Sequence, residues 1–218
     1  MIDHEAGPTH QGDSSVTPTS TTVMALHWQH NVIHPDGVFG PMLAEPVASS
    51  GVVERSRAFH DAARDLGVPI VFTRFTIPSD GGGLVRNTDF MRMVDDAAES
   101  FRPDSWGAAL VDGIGVRPDD VVSDNQRLSG LAETDLPERL RRRGVDTLLI
   151  TGVATNLTVE QTARHATDLG FMAHVISDCV AAADEATHDA SLANLSLTTN
   201  GVMTAEAALS HLATPSRS

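Results

Sequence analysis

Five short stretches of this 218-residue chain hold side chains whose types can do chemistry: His27-Trp28-Gln29, Arg74, Asp124-Asn125-Gln126-Arg127, Gly152-Val153-Ala154-Thr155 and Asp178. An imidazole titrates near neutrality and serves as a general acid or base. A guanidinium such as that of Arg127 can clamp a carboxylate. What is missing narrows the chemistry further. All 15 basic residues are arginines, tyrosine is absent and Cys179 is the only cysteine. A Schiff-base or phosphate-loop lysine, a tyrosine acid, a disulfide and a multi-cysteine zinc site are therefore excluded within one chain. His27, His30 and His34 lie where a strand pattern gives way to a Pro35-Asp36-Gly37 turn. Nothing in that pattern converges them, so no metal and no other cofactor is expected.

These stretches share a position: each follows an apolar run. Strands are expected over 23–26, 68–73, 121–122, 147–151, 171–176 and 201–203, where short apolar or β-branched runs stand between turn signals. Helices are expected over 51–66, from Thr134 as N-cap to the arginines before Gly144, over 156–169, over 184–195 and at the end of the chain. Cys179 is expected after the fifth strand, as a small buried structural thiol. Residues 76–119, with Gly81-Gly82-Gly83 and several aspartates, read as a surface excursion bordering a site. Strands alternating with helices imply right-handed crossovers and a three-layer α/β/α fold on a six-stranded parallel sheet. In such sheets ligands bind at the carboxyl ends of the strands.

The formal net charge of −14 argues against nucleic acid, whose binders cluster cations against phosphates. Apolar runs are far short of the roughly 20 residues of a membrane-spanning helix. Residues 1–21 are rich in Ser, Thr and Pro and lack the pattern of a secretory signal. The expectation is a cytoplasmic protein with a mobile arm over 1–21, one domain over 22–212 and a tail over 213–218.

The segment Thr151-Gly152-Val153-Ala154-Thr155-Asn156, followed by a helix with Glu160, Thr162, Ala163 and Arg164, resembles the isochorismatase-like hydrolase superfamily. Trp28-Gln29, Trp106-Gly107-Ala108, Arg127 through Ser129 to Thr134-Asp135-Leu136, Asp178-Cys179, His188 and Gly201 to Thr204 before Glu206 extend the resemblance in order. It implies a six-stranded parallel α/β/α fold, a small organic substrate, and a homodimer or homotetramer. It also implies a site made of an Asp, a Lys and a nucleophilic Cys, at positions held here by His27, Asn125 and Thr158. The peptide joining Val153 and Ala154 is cis in the family and turns N–H groups towards the substrate.

All three family side chains are thus replaced, and Cys179 lies too far along to serve as the nucleophile. One reading makes His27 a general base for Thr158, with Asn125 fixing the imidazole tautomer, in a hydrolase without cysteine. A second makes His27 the acid or base of an isomerase, lyase or cyclase, and a third leaves an inactive ligand-binding homologue. Trp28, Gln29, Arg74, Trp106, Arg127, Val153, Ala154 and Thr155 are the expected substrate-binding residues. An uncharged substrate is expected, or one whose charge meets Arg74 or Arg127. His188 reads as structural or interfacial, and His165 and His174 as ordinary exposed or satisfied histidines.

Overall fold

The computed structural model describes residues 16–214. Its centre is a six-stranded parallel sheet in the order β3-β2-β1-β4-β5-β6, formed by β1 (Thr21–Leu26), β2 (Ile70–Phe75), β3 (Val121–Asn125), β4 (Thr147–Val153), β5 (Met172–Ala181) and β6 (Val202–Met203). The central strands β1 and β4 are buried along their whole length, which explains their continuous apolar runs. Successive side chains of β1 feed opposite cores, as the period of a strand requires. Val23 and Ala25 pack with α2 (Gly40–Ser50), α3 (Val52–Asp65) and α8 (Ala205–Ala213). Met24 and Leu26 pack with α5 (Leu136–Arg142), α6 (Glu160–Asp168) and α7 (Glu185–Thr198). The short α1 (His30–Ile33) follows β1, and α4 (Asp89–Asp96) belongs to the excursion.

Several boundaries differ from the sequence-based expectations, each for a local reason. Val68 does not start β2; its N–H reaches back to the Ala63 carbonyl and closes α3, while the Pro69 carbonyl accepts from Val23. Strand β5 runs on to Ala181 because it keeps pairing with Gly152 and Val153, so Asp178 and Cys179 lie within the strand. Thr134 does not cap α5; its hydroxyl donates to the Leu131 carbonyl, and Asp135 occupies the N-cap position. The helix expected from 156 opens as a wider turn over Thr155–Val159, in which the Val159 N–H reaches the Ala154 carbonyl five residues back. Helix α2 is unheralded in the sequence, because Pro46 sits inside it and removes one helical hydrogen bond. Burial of Leu43, Ala44 and Val47 offsets that loss.

The excursion is no loose loop. Phe75, Ile77, Leu84, Met91, Val94 and Phe101 form a third apolar cluster over the carboxyl edge of the sheet, and Thr88 caps α4 by accepting from the Met91 N–H. The arm expected over 1–21 lies outside the described residues as far as residue 15. Beyond it Val16 is buried in the core and Thr21 already belongs to β1. The tail from 215 lies outside them as well.

Candidate active site

The ends of β1, β3 and β4 contribute to the site, beside the point where the strand order reverses between β1 and β4. Gly152 sits beside Leu26 in register with a φ of +144°, and a Cβ there would lie 2.5 Å from the Leu26 carbonyl oxygen. Only glycine lets the two strands approach this closely. The next peptide, Val153–Ala154, is cis. Immediately after β1, His27 takes a φ of 54°, a left-handed conformation that costs a side chain of this size about 1 kcal/mol or more. It is held there by a hydrogen bond from its N–H to the Thr73 carbonyl (3.1 Å) and one from the Gln29 N–H to its own carbonyl (2.8 Å).

That backbone turn buries the imidazole and directs Nε2 to within 3.2 Å of Asn125 Oδ1, at the end of β3. The amide is itself oriented: Asn125 Nδ2 donates to the Arg127 carbonyl at 2.5 Å. A carbonyl can only accept, so the amide oxygen must face the histidine and Nε2 must carry the proton. In the neutral ring Nδ1 is then left with a lone pair. It has no partner among the described residues and is not wholly enclosed. Burial lowers the His27 pKa to about 4, a shift that the hydrogen bond to Asn125 only partly opposes. At neutral pH this is an uncharged base.

Thr158 lies in the wide turn before α6, and its hydroxyl donates to the Leu128 carbonyl at 2.8 Å. The structure therefore joins His27 to Asn125 by a hydrogen bond, while Thr158 spends its proton elsewhere. His27 and Thr158 nevertheless border one narrow cavity. Among the described residues they are the only polar side chains on its wall; Val153, Ala154, Phe75, Phe101 and Leu157 are among the rest.

The other expected contacts lie apart from this cavity. Trp28 is wholly buried in the core behind the site. The Gln29 amide clamps the Phe75 N–H and the carbonyls of Phe75 and Ala108. Arg74 makes a two-pronged pair with Asp124 at 2.8 and 2.9 Å and borders a different cleft. Arg127 pairs with Glu133 and lines a neighbouring cavity with Ser129 and His165, from which Met91 and Leu128, common to both walls, divide it. Trp106 is half exposed, stacked on His30 with ring centroids 4.6 Å apart. Thr155 is buried against His188.

His165 and His174 bond Ser129 and Asn200, respectively. Cys179 is buried, its thiol pushed up to about 12 by burial and by the adjacent Asp178 charge, which opposes formation of a thiolate. Among the described residues, no group of three His, Cys, Asp or Glu side chains is placed to hold a metal ion, and no helix is long and apolar enough to cross a membrane.

Sequence reasoning did not single out the apolar wall. Phe90, Met91 and Val94 of α4 and Leu43 of α2 line the cavity. The spacing of Met91 and Val94, three residues beyond Thr88 and then three more, was the available signal for the first of these helices.

A parallel sheet between two helical layers, with a cavity at its carboxyl edge, defines the α/β class in which ligand sites lie at strand ends. Comparison narrows the class. Residues 21–207 match the isochorismatase domain, and the chain belongs to the isochorismatase family. It is 29% identical over 215 residues to the ureidoacrylate amidohydrolase RutB of Methylobacterium radiotolerans, covering 93% of this chain and 83% of that protein. Its fold matches a cysteine hydrolase from Pseudomonas syringae pv. phaseolicola with a TM-score of 0.81, at 22% identity and 90% and 94% coverage of the two chains. It also matches the pyrazinamidase/nicotinamidase of Streptococcus mutans with a TM-score of 0.68, at 24% identity and 84% and 99% coverage.

Proposed function

We propose that this chain is a small-molecule hydrolase in which His27 acts as general base and Asn125 as its positioning residue. The observation that carries the reading is a buried, neutral imidazole that lines an apolar cavity and whose Nδ1 has no partner among the described residues. Water bound between Nδ1 and a substrate acyl carbon gives up a proton to Nδ1 as its oxygen bonds to that carbon. The tetrahedral intermediate then expels an amine or alcohol, which takes the proton back from Nδ1. N–H groups at the start of the Thr155–Val159 turn have no helical acceptor by position and suit the oxygen that becomes negative.

Thr158 enters this scheme as a binding hydroxyl, because its proton is committed to Leu128. A hydrolysis screen over uncharged amides and esters provides the test. His27→Ala should lower kcat/KM at least about 100-fold, the usual worth of a general base, whereas Thr158→Val should stay within about tenfold. The opposite pattern, with an acyl adduct on Thr158, would make Thr158 the nucleophile. A non-hydrolytic reaction is the second reading, favoured by how little of the wall is polar; the same His27→Ala loss with no hydrolysis product would select it.

A further inference from the structure

We infer that His188 is a positioning residue: from the start of α7 it holds, through Thr155, the turn whose N–H groups meet the developing negative charge. Its kinetic consequence rests on the hydrolase reading above; its structural consequence does not. Ala154, Leu157 and Thr158 line the cavity beside His27. Thr155 stands among them in sequence but turns its side chain away, towards α7. That side chain is wholly buried, and its hydroxyl lies 2.9 Å from His188 Nδ1, with no other partner among the described residues. The turn is thus pinned on two sides, towards α7 by Thr155 and towards the loop after β3 by Thr158, whose hydroxyl donates to the Leu128 carbonyl at 2.8 Å.

The chain of support runs back to the cap of α7. Asp184 accepts from the Thr187 N–H at 2.8 Å, and the His188 N–H donates to the Asp184 carbonyl at 3.1 Å, which fixes the backbone that carries the imidazole. The half-buried ring reaches from Thr155 to an outer cleft that it lines with Glu45, Asp178, Asp184, Glu185 and Arg55. Four carboxylates against one guanidinium favour the N–H on Nε2, which is not wholly enclosed. Nδ1 is then left to accept the Thr155 proton. Neither residue lines the cavity, so the pin acts on the placing of the donors and not on substrate binding. Such donors lose much of their worth when displaced by about an ångström.

Kinetics and hydrogen exchange on the full chain test the pin together. His188→Leu and Thr155→Val should each lower kcat at least about tenfold with KM held within about threefold, and the double variant should be no worse than the poorer single one. His188→Asn, whose amide puts a polar atom where Nδ1 stands, should recover most of the loss. Exchange of the Leu157 and Val159 N–H groups, both bonded to the Ala154 carbonyl, should quicken at least about fivefold in His188→Leu, the equivalent of one net hydrogen bond. Unchanged exchange overturns the inference, as does an unchanged kcat, a loss carried by KM, additive losses in the double variant or no rescue by His188→Asn. If the unaltered protein hydrolyses no amide or ester, the hydrolase reading falls and the exchange result alone decides the pin.

Discussion

His27 and His60 are both buried imidazoles with depressed pKa values, one at the carboxyl edge of the sheet and one on the buried face of α3. Burial lowers His27 to about 4 and His60 to about 3, where the nearby Arg64 charge adds to the effect. Each ring uses Nε2 for one side-chain hydrogen bond, His27 to Asn125 at 3.2 Å and His60 to Thr151 at 2.9 Å. They part at the other nitrogen. His60 Nδ1 is wholly enclosed without a partner among the described residues, while that of His27 is not wholly enclosed and its ring lines a cavity. A perturbed pKa alone does not mark a catalytic group; what distinguishes these two is whether a second molecule can reach the remaining lone pair.

The sharpest way to break this comparison is to delete each ring. His27→Ala should lose activity by about two orders of magnitude or more while the protein stays folded. His60→Ala should instead lose about 2–4 kcal/mol of stability by opening a core cavity and stranding Thr151, with turnover per folded molecule nearly unchanged. Chemical denaturation and kinetics on both variants decide it, and a large kinetic loss in folded His60→Ala would erase the distinction.

Acid should act on both rings together. Unfolding returns each imidazole to an ordinary pKa near 6.5, so below that value the unfolded chain binds protons that the folded chain refuses. Stability is therefore full above about pH 6.5 and drains as the pH falls towards the folded values, by on the order of 3 kcal/mol for each ring. Melting curves followed by circular dichroism from pH 7 to 4 measure this, and His60→Leu should flatten part of the slope. A melting temperature independent of pH over that range would mean that the two rings are not buried neutral.

A smaller change isolates the positioning role of Asn125. Asn125→Asp substitutes a carboxylate that favours the imidazolium, so the acid limb of the activity profile should move up from about 4 towards neutrality. Asn125→Leu should cost about tenfold by freeing the tautomer. An unmoved limb in Asn125→Asp would take His27 out of the reaction.

Much of this arrangement was legible in the sequence. The apolar runs of β1 and β4 place His27 and Val153-Ala154 at strand ends by pattern, because a strand buried on both faces must be apolar throughout and its carboxyl end must then change character, whereas the partly exposed edge strand β3 offered only Val121-Val122 ahead of Asn125. The tautomer was not legible, since it depends on a backbone carbonyl two residues beyond Asn125. Nor was the fate of the Thr158 hydroxyl, which turns on the position of Leu128 across a loop. The arginines read as ligand clamps because nothing local says that Asp124 and Glu133 will neutralise them. Helix α2 was hidden by Pro46, whose propensity cost is local while the burial that offsets it is tertiary.

A wall with no ionised side chain also bears on how a ligand arrives. The chain carries a formal charge of −14, a field that repels anions at long range and decays over roughly 8 Å at physiological ionic strength. A neutral guest feels none of it. Encounter with this cavity is then not steered by charge, so its association rate should be nearly the same in dilute buffer and in concentrated salt.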